Sequence, residues 1–204
     1  MFRECLFQMI AKDRGFTVCG EADNINEALE VIRQQKPDIA LIDITLRGSS
    51  GLELIKDLKA HGLKVPVLVL SMHNEVLYAE RVLRAGARGY ISKHEASSTL
   101  LKAILYVLGG EVYLSERMTA AMLTKVAMQG KRAVANGMES LADCELEVFQ
   151  LVGKGYNSRE IAAQLHLGET TIDTYRARIR EKLHLRNAAG LYTRAAQWVQ
   201  EQGM

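Results

Sequence analysis

The chain has 204 residues, 48% of them apolar and 25% charged, with a formal net charge of +2. That balance is ordinary for a soluble globular protein and leaves room for one large or two small domains. No apolar run is long enough to cross a membrane: the longest candidate, Leu100–Leu108, is short and broken by Lys102, and the amphipathic start MFRECLFQMIAKDRG has no signal-peptide pattern. Cys5, Cys19 and Cys144 are scattered with no C-x-x-C, as expected of buried or incidental thiols in a reducing cytoplasm, and no metal-ligand cluster or repeat is visible.

Up to about residue 114, amphipathic stretches alternate with short apolar runs. Helices are expected over Phe2–Arg14, Ile25–Gln34 (ended by Lys36-Pro37), Leu52–His61, Val76–Arg84 and Ser97–Leu108 (ended by Gly109-Gly110). Strands are expected over Phe16–Glu21, Asp38–Asp43, Val65–Ser71 and Gly89–Ser92. Val65–Ser71 is continuously apolar rather than alternating, the mark of a strand buried on both faces. Strands and helices in alternation predict a parallel sheet covered on both sides.

Ligands of such sheets bind beyond the carboxyl ends of the strands. Those ends carry Asp43, then Ser71, then Lys93 just past the last strand. Each alone reads as a turn or surface residue. Together they supply a carboxylate able to attack an activated phosphoryl group, with a hydroxyl and an ammonium to hold its oxygens. Tyr90, three residues before Lys93, is expected near the same edge. A hydrolytic set of Asp43, Ser71 and His73 is the weaker reading, because no G-x-S-x-G elbow is present.

Ser115–Gln129 reads as a helix with Met118, Met122 and Val126 on one face, and Gly130–Ser140, polar with two glycines, as a linker that permits domain motion. The expected division is therefore 1–114, a helix and linker over 115–136, and a second domain over 137–204. Within the latter, NSREIAAQLHLGETTIDTYRARIREKL reads as two short helices and a tight turn. Asn157 and Glu160 have capping-box spacing, and Ile161, Ala162 and Leu165 recur at helical spacing. Gly168 is a weak cap for the next helix, in which Ile172, Tyr175, Ile179 and Leu183 form one apolar stripe. Arg176, Arg178, Arg180, Lys182 and Arg186 oppose only Glu181, although the whole chain is nearly neutral. A solvated helix pair seldom needs such asymmetry, whereas phosphate binding does. The arrangement is that of a helix-turn-helix, with short polar side chains for base edges and cations for phosphates. A last helix is expected over Ala188–Gln200, with Leu191, Ala195, Trp198 and Val199 on its apolar side.

The segment Leu141–Ala196 resembles the LuxR-type helix-turn-helix domain through Leu141, Glu145, Glu147-Val148, Gly155, Glu160-Ile161-Ala162, Leu165, Thr171-Ile172, Ile179 and Lys182-Leu183. Ala142 replaces the usual Thr cap, Gly168 a common Ser, and Asp173 a frequent Lys. The resemblance and the helix pattern together place Asn157, Ser158, Thr170, Thr171, Asp173, Thr174, Arg176, Arg178 and Lys182 at the DNA. An acid at a base-facing position cannot bind phosphate; it accepts a hydrogen bond from a cytosine amino group or repels the duplex there.

The N-terminal half, through LIDITLRGSSGLELI, LVLSMH and AGARGYISK in that order, resembles the receiver domain of two-component response regulators of the NarL/FixJ type. The resemblance implies that Asp43 is the phosphoacceptor, Ser71 the switch hydroxyl, Lys93 the phosphate-binding lysine, Tyr90 the aromatic that changes rotamer, and Asp43 with the backbone carbonyl of Thr45 two ligands of Mg2+. The family pattern opens on a strand ending in two adjacent acids, the remaining metal ligands, and neither is found in this sequence; a truncated start is expected. Magnesium prefers several oxygens in an octahedron, so its binding and phosphoryl transfer are expected to be weak. The implied fold is an α/β receiver domain, a doubly wound parallel sheet with the first strand absent, followed by an all-α helix-turn-helix domain. The implied function is that of a cytoplasmic, non-enzymatic transcription regulator that binds double-stranded DNA as a homodimer, without a membrane, after a histidine kinase phosphorylates Asp43. The alternative is a phosphorylation-independent DNA-binding protein whose incomplete receiver serves dimerisation or partner contact.

Overall fold

A computed structural model describes residues 2–46, 49–72, 75–128 and 137–201. They fall into an N-terminal unit, up to Leu46 and from Gly51 to Val126, and a C-terminal unit that takes in Ser49–Ser50 and the chain beyond Val126.

The N-terminal unit is an α/β layer structure. Helix α1 spans Phe2–Ala11 and α2 spans Ile25–Gln35. Asn24 caps α2: Glu27 N donates to its Oδ1 at 3.0 Å, and Asp23 N donates to Glu27 Oε2 at 2.9 Å. The helix stops at Lys36, in the left-handed region at φ 47°, just before Pro37. Strand β1 is Ala40–Asp43, followed by the two-residue strands β2, Thr45–Leu46, and β3, Ser49–Ser50, then helix α3, Gly51–Ala60. Strand β4 is Val67–Ser71, helix α4 Glu75–Ala85, strand β5 Gly89–Ser92, and helices α5 and α6 are Ala96–Leu108 and Glu116–Met128. Pro66 explains why β4 starts two residues later than expected: it has no N–H for the ladder, although its carbonyl accepts from Ala40 N at 2.9 Å.

The main sheet is parallel, in the order β1-β4-β5. Ala40 pairs with Val67 and Asp43 with Leu70 on one side of β4, while Leu68 pairs with Gly89 and Ser71 with Ser92 on the other. The pleat sends alternate side chains to opposite faces. Leu68, Leu70 and Ile91 pack with Ile10 of α1 and with Leu100, Ala103, Ile104 and Val107 of α5. Val67 and Val69 point to the other face and are also buried, as are Leu54, Ile55 and Leu58 of α3 and Val82 of α4. Beyond α5 the chain returns to the sheet, where Tyr90 N donates to Tyr113 O and Tyr113 N to Arg88 O. Gly89 permits that approach, since a Cβ there would meet Tyr113 O at 3.0 Å and Leu68 Cδ1 at 2.8 Å.

Three expectations change. Phe16–Glu21 forms no strand, and its backbone joins no ladder among the described residues. A strand is held by hydrogen bonds to a neighbour, and among the described residues this segment makes none, although β1 ends the sheet paired on one side only; exposed pairing of Arg3 with Glu21 and Asp23 ties its end instead. Part of the expected linker is ordered as a 3-10 turn, Met138–Ser140, while 129–136 lie outside the described residues. Cys5 and Cys19 are exposed and Cys144 is half-buried, so the thiols are not core residues.

Beyond residue 137 the C-terminal unit is helical. Helix α7 is Asp143–Gly153, α8 Ser158–Leu165, α9 Glu169–Lys182 and α10 Ala188–Glu201. Leu146, Phe149 and Val152 of α7 meet the buried Leu191, Ala195, Trp198 and Val199 of α10, with Phe149 and Trp198 edge to face at 5.6 Å. Ile161, Ala162, Leu165, Ile172 and Ile179 complete the core. Among the described residues no helix is long and apolar enough to cross a membrane.

Candidate functional site

The strand register brings Asp43, Ser71 and Lys93 to one edge of the N-terminal sheet. Asp43 closes β1, Ser71 closes β4, and Lys93 follows β5 directly. Lys93 is anchored through its backbone, whose N–H donates to Ser71 O at 2.8 Å. Its Nζ donates to Asp43 Oδ2, with 16% of the lysine side chain and 32% of the aspartate side chain exposed. Ser71 is fully buried. The trio expected from strand-end counting is therefore assembled, with the carboxylate the most accessible member. Tyr90 is 1% exposed and held in the core at the middle of β5. Gly51 opens α3 with its N–H on Ile44 O at 2.7 Å, and any side chain there would run into the Asp43 carbonyl. Glycine at this position thus keeps the carboxylate strand in place. Thr45 lies in β2, two residues past Asp43. His73 and the loop residues Arg47 and Gly48 lie outside the described residues.

The second candidate surface is built on α8 and α9. Asn157 caps α8 with both halves of the capping box: Glu160 N donates to Asn157 Oδ1 at 3.0 Å, and Asn157 N to Glu160 Oε2 at 2.8 Å. His166 ends α8 in the left-handed region at φ 54°, and Gly168 opens α9 in extended backbone with no side chain to cap it. No side chain of Gly168 caps the first turn of α9, although Thr171 N donates to the Gly168 carbonyl at 3.0 Å, and a helix amino end of this kind favours an anion. Thr170, Asp173, Thr174, Ala177 and Arg178 line the exposed face of α9; Thr171 is half-buried. Thr174 spends its hydroxyl proton on Thr170 O at 2.8 Å, which leaves it an acceptor only.

The cations of α9 divide into two groups. Arg178 and Arg180 make no ion pair or hydrogen bond with the described residues. Arg176 is half-buried and committed: it donates to Ser158 Oγ at 2.5 Å and to the hydroxyl of Tyr192, with its guanidinium carbon 4.8 Å from the centre of that ring. Lys182 is committed as well, donating to Glu145 Oε2 at 2.6 Å. Glu145 is 2% exposed, and the same oxygen accepts from Ala142 N at 2.7 Å. This is half a capping box, since Ala142 has no side-chain acceptor to complete it. Sequence spacing placed Arg176 and Lys182 with the other cations. It held no signal for Tyr192 or Glu145, which reach them from helices 16 and 37 residues away in the chain.

Residues 1–105 match the response regulator receiver domain, and residues 139–195 match the LuxR family of bacterial regulatory proteins. The chain belongs to the LuxR-type response regulators. A Pseudomonas aeruginosa protein is 42% identical over 177 residues, covering 87% of this chain and 84% of that one. The oxygen regulatory protein NreC of Staphylococcus aureus is 32% identical over 174 residues, covering 83% and 80%. The structure of RcsB from Salmonella enterica serovar Typhimurium bound to promoter rprA, in the presence of the phosphomimetic BeF3-, superposes with a TM-score of 0.57 at 21% identity, covering 95% and 92%. It shares the fold: a receiver with a parallel sheet, then a helical helix-turn-helix domain.

Receiver domains generally bind Mg2+ for phosphorylation. In this regulator, no group of three or more His, Cys, Asp or Glu side chains gathers to hold a metal among the described residues. Asp43 has Lys93 on one oxygen, and among the described residues it belongs to no group of three such side chains that could supply the several oxygens an octahedron needs. The residues present do not fit the ion.

Proposed function

We propose that this response regulator lays α9 in the major groove of double-stranded DNA as a two-fold homodimer in the cytoplasm, and performs no metabolic reaction itself. The observation that carries this reading is the exposed face of α9: short polar side chains at its amino-terminal half, and beyond them the exposed Arg178, with the half-buried Arg180 beside it, neither paired with any described residue. Two recognition helices related by a dyad would enter successive major grooves about 34 Å apart. RcsB, of the same fold, is bound to a promoter in its solved structure. The phosphate-contact roles pass to Arg178 with Thr170, Thr171 and the amino end of α9. Asn157 and Lys182 support the helices that present them.

Control falls to Asp43. Its carboxylate would accept a phosphoryl group from the phosphohistidine of a kinase, and Lys93, paired with Asp43, and Ser71, at the end of the adjoining strand, would hold the oxygens. The charge added at Asp43 would change what Lys93 pairs with, the local event a switch requires. A second reading, in which DNA binding is independent of phosphate, is favoured by the lack, among the described residues, of any group of three or more metal-holding side chains.

Fluorescence anisotropy on labelled duplex, run across a salt series, tests the main reading. Arg178→Ala is expected to weaken binding to all sequences alike and to lower the slope of log K against log salt by about 1. An unchanged slope removes Arg178 from the phosphate contacts, and no binding at low salt by the unaltered chain overturns the function. The two modes of control separate in the same assay. Acetyl phosphate with Mg2+ is expected to raise affinity for the unaltered chain and not for Asp43→Ala if phosphate controls it; equal affinities throughout establish the independent mode.

A further inference from the structure

We infer that Asp173 reads a cytosine, and that Arg176 and Ser158 form the brace that aims it. The inference rests on the reading of α9 as the DNA-facing helix and names what that helix selects.

Arg176 lies between α8 and α10 rather than on the outer face. It carries only donors, so its contact at 2.5 Å uses a lone pair of Ser158 Oγ. The other end of the guanidinium donates to Tyr192 and stacks over its ring. A serine hydroxyl has one proton. With Arg176 on the oxygen, that proton is free for the neighbour, and the neighbour is Asp173 Oδ1 at 2.8 Å. Proton direction is thereby set outward from Arg176, which donates to Tyr192 at one end and to Ser158 at the other, and Ser158 in turn donates to the carboxylate. The chain ties three helices together. Asp173 is exposed, so one oxygen is fixed by the protein and the remaining lone pairs face outward.

An ionised carboxylate only accepts. Phosphates and the acceptor-rich edges of guanine and thymine repel it. In the major groove, cytosine presents an amino donor with no acceptor beside it, whereas adenine presents its amino group next to N7. The base that best satisfies a braced carboxylate is therefore cytosine. The same charge lowers affinity for every duplex lacking a cytosine at that position, so the acid acts by rejection as much as by attraction.

The test is selection of bound sites from a random duplex library by the full chain, followed by affinities on the winning site and on its single-base changes. The unaltered protein is expected to select one invariant C·G pair per half-site and to lose about 5- to 150-fold on replacing it. Asp173→Ala should bind the selected site less tightly and its single-base changes more tightly, so that the preference is lost. Asp173→Asn should move the preference to adenine, which a carboxamide matches with two hydrogen bonds. Ser158→Ala should weaken the preference and leave the salt slope unchanged, a result that loss of fold would not give. Identical selected sites for the unaltered chain and Asp173→Ala overturn the inference and leave DNA binding standing. Failure of every form to bind duplex at low salt overturns the DNA-binding reading instead.

Discussion

Gly153→Ala is expected to destabilise the helix-turn-helix unit, against the sign that helix propensity alone gives. Alanine in place of glycine inside a helix ordinarily gains roughly 0.5–1 kcal/mol. Gly153, however, is the last residue of α7, where α10 comes closest. A Cβ built there would run into the Ala195 carbonyl oxygen, and would lie 2.8 Å from the Ala195 carbonyl carbon and 2.5 Å from Val199 Cγ2. Backbone cannot move aside by changing rotamer, so α10 would have to shift as a body, disturbing the Phe149–Trp198 contact. Overpacking of this kind costs about 1–3 kcal/mol, occasionally more. For a unit of this size that corresponds to a fall of roughly 4–24 °C in the melting midpoint. Trp198 is the chain's single tryptophan and sits in the affected core, so its fluorescence during urea or thermal unfolding reports this unit. Gly190→Ala is the control. Its Cβ would meet nothing nearer than Asn187 Oδ1 at 3.5 Å, an ordinary contact, and the substitution should raise the midpoint slightly. If both variants move the midpoint in the same direction, the close approach of α7 and α10 is not what glycine serves.

The contrast between these two glycines shows where reading the chain stops. Local pattern placed the helices of both units, because amphipathic spacing and caps are properties of a few consecutive residues. Asn157 with Glu160 is an example: a box read from spacing and found with both hydrogen bonds made. The strand ends were legible for the same reason. Counting along DIALID, VPVLVLS and GYISK puts Asp43, Ser71 and Lys93 at one edge once the sheet is parallel, and the register does so.

What a residue does with its side chain was not legible when its partner comes from another helix. Arg176 and Arg178 are two positions apart in one cationic run, yet one is braced under Tyr192 and the other faces solvent. No periodicity separates them, because the difference is made by α10. Phe16–Glu21 failed for the converse reason. Its residues suit a strand, but strand formation is a property of two chains segments side by side, and among the described residues no neighbour pairs with it.

Lys182 gives the second large effect and separates support from contact. Its ammonium is the charged partner of Glu145, a carboxylate with only 3% of its side chain exposed, which also holds the first turn of α7 through Ala142 N. Removing one member of a buried pair leaves the other charge uncompensated, at a cost of 3–5 kcal/mol for fully buried pairs, roughly. Lys182 keeps 37% of its side chain in solvent, and screening there reduces the expected cost of Lys182→Met to about 1–3 kcal/mol. Glu145→Gln removes the charge while keeping an oxygen for Ala142 N, so the double variant is expected to be more stable than Lys182→Met alone. That reversal, read from Trp198 unfolding midpoints, is what a desolvated carboxylate predicts; simple additivity of the two changes would show that water already satisfies Glu145. DNA binding supplies the complementary measurement. A lysine committed to α7 contributes little to the duplex, so Lys182→Met should leave the salt slope near that of the unaltered chain while lowering stability. Arg178→Ala should do the opposite, since its guanidinium makes no ion pair or hydrogen bond with the described residues and, on the proposed reading, meets the phosphate backbone. A full unit of slope lost with Lys182→Met would put that ammonium on the DNA and give Glu145 a different counter-charge in the complex.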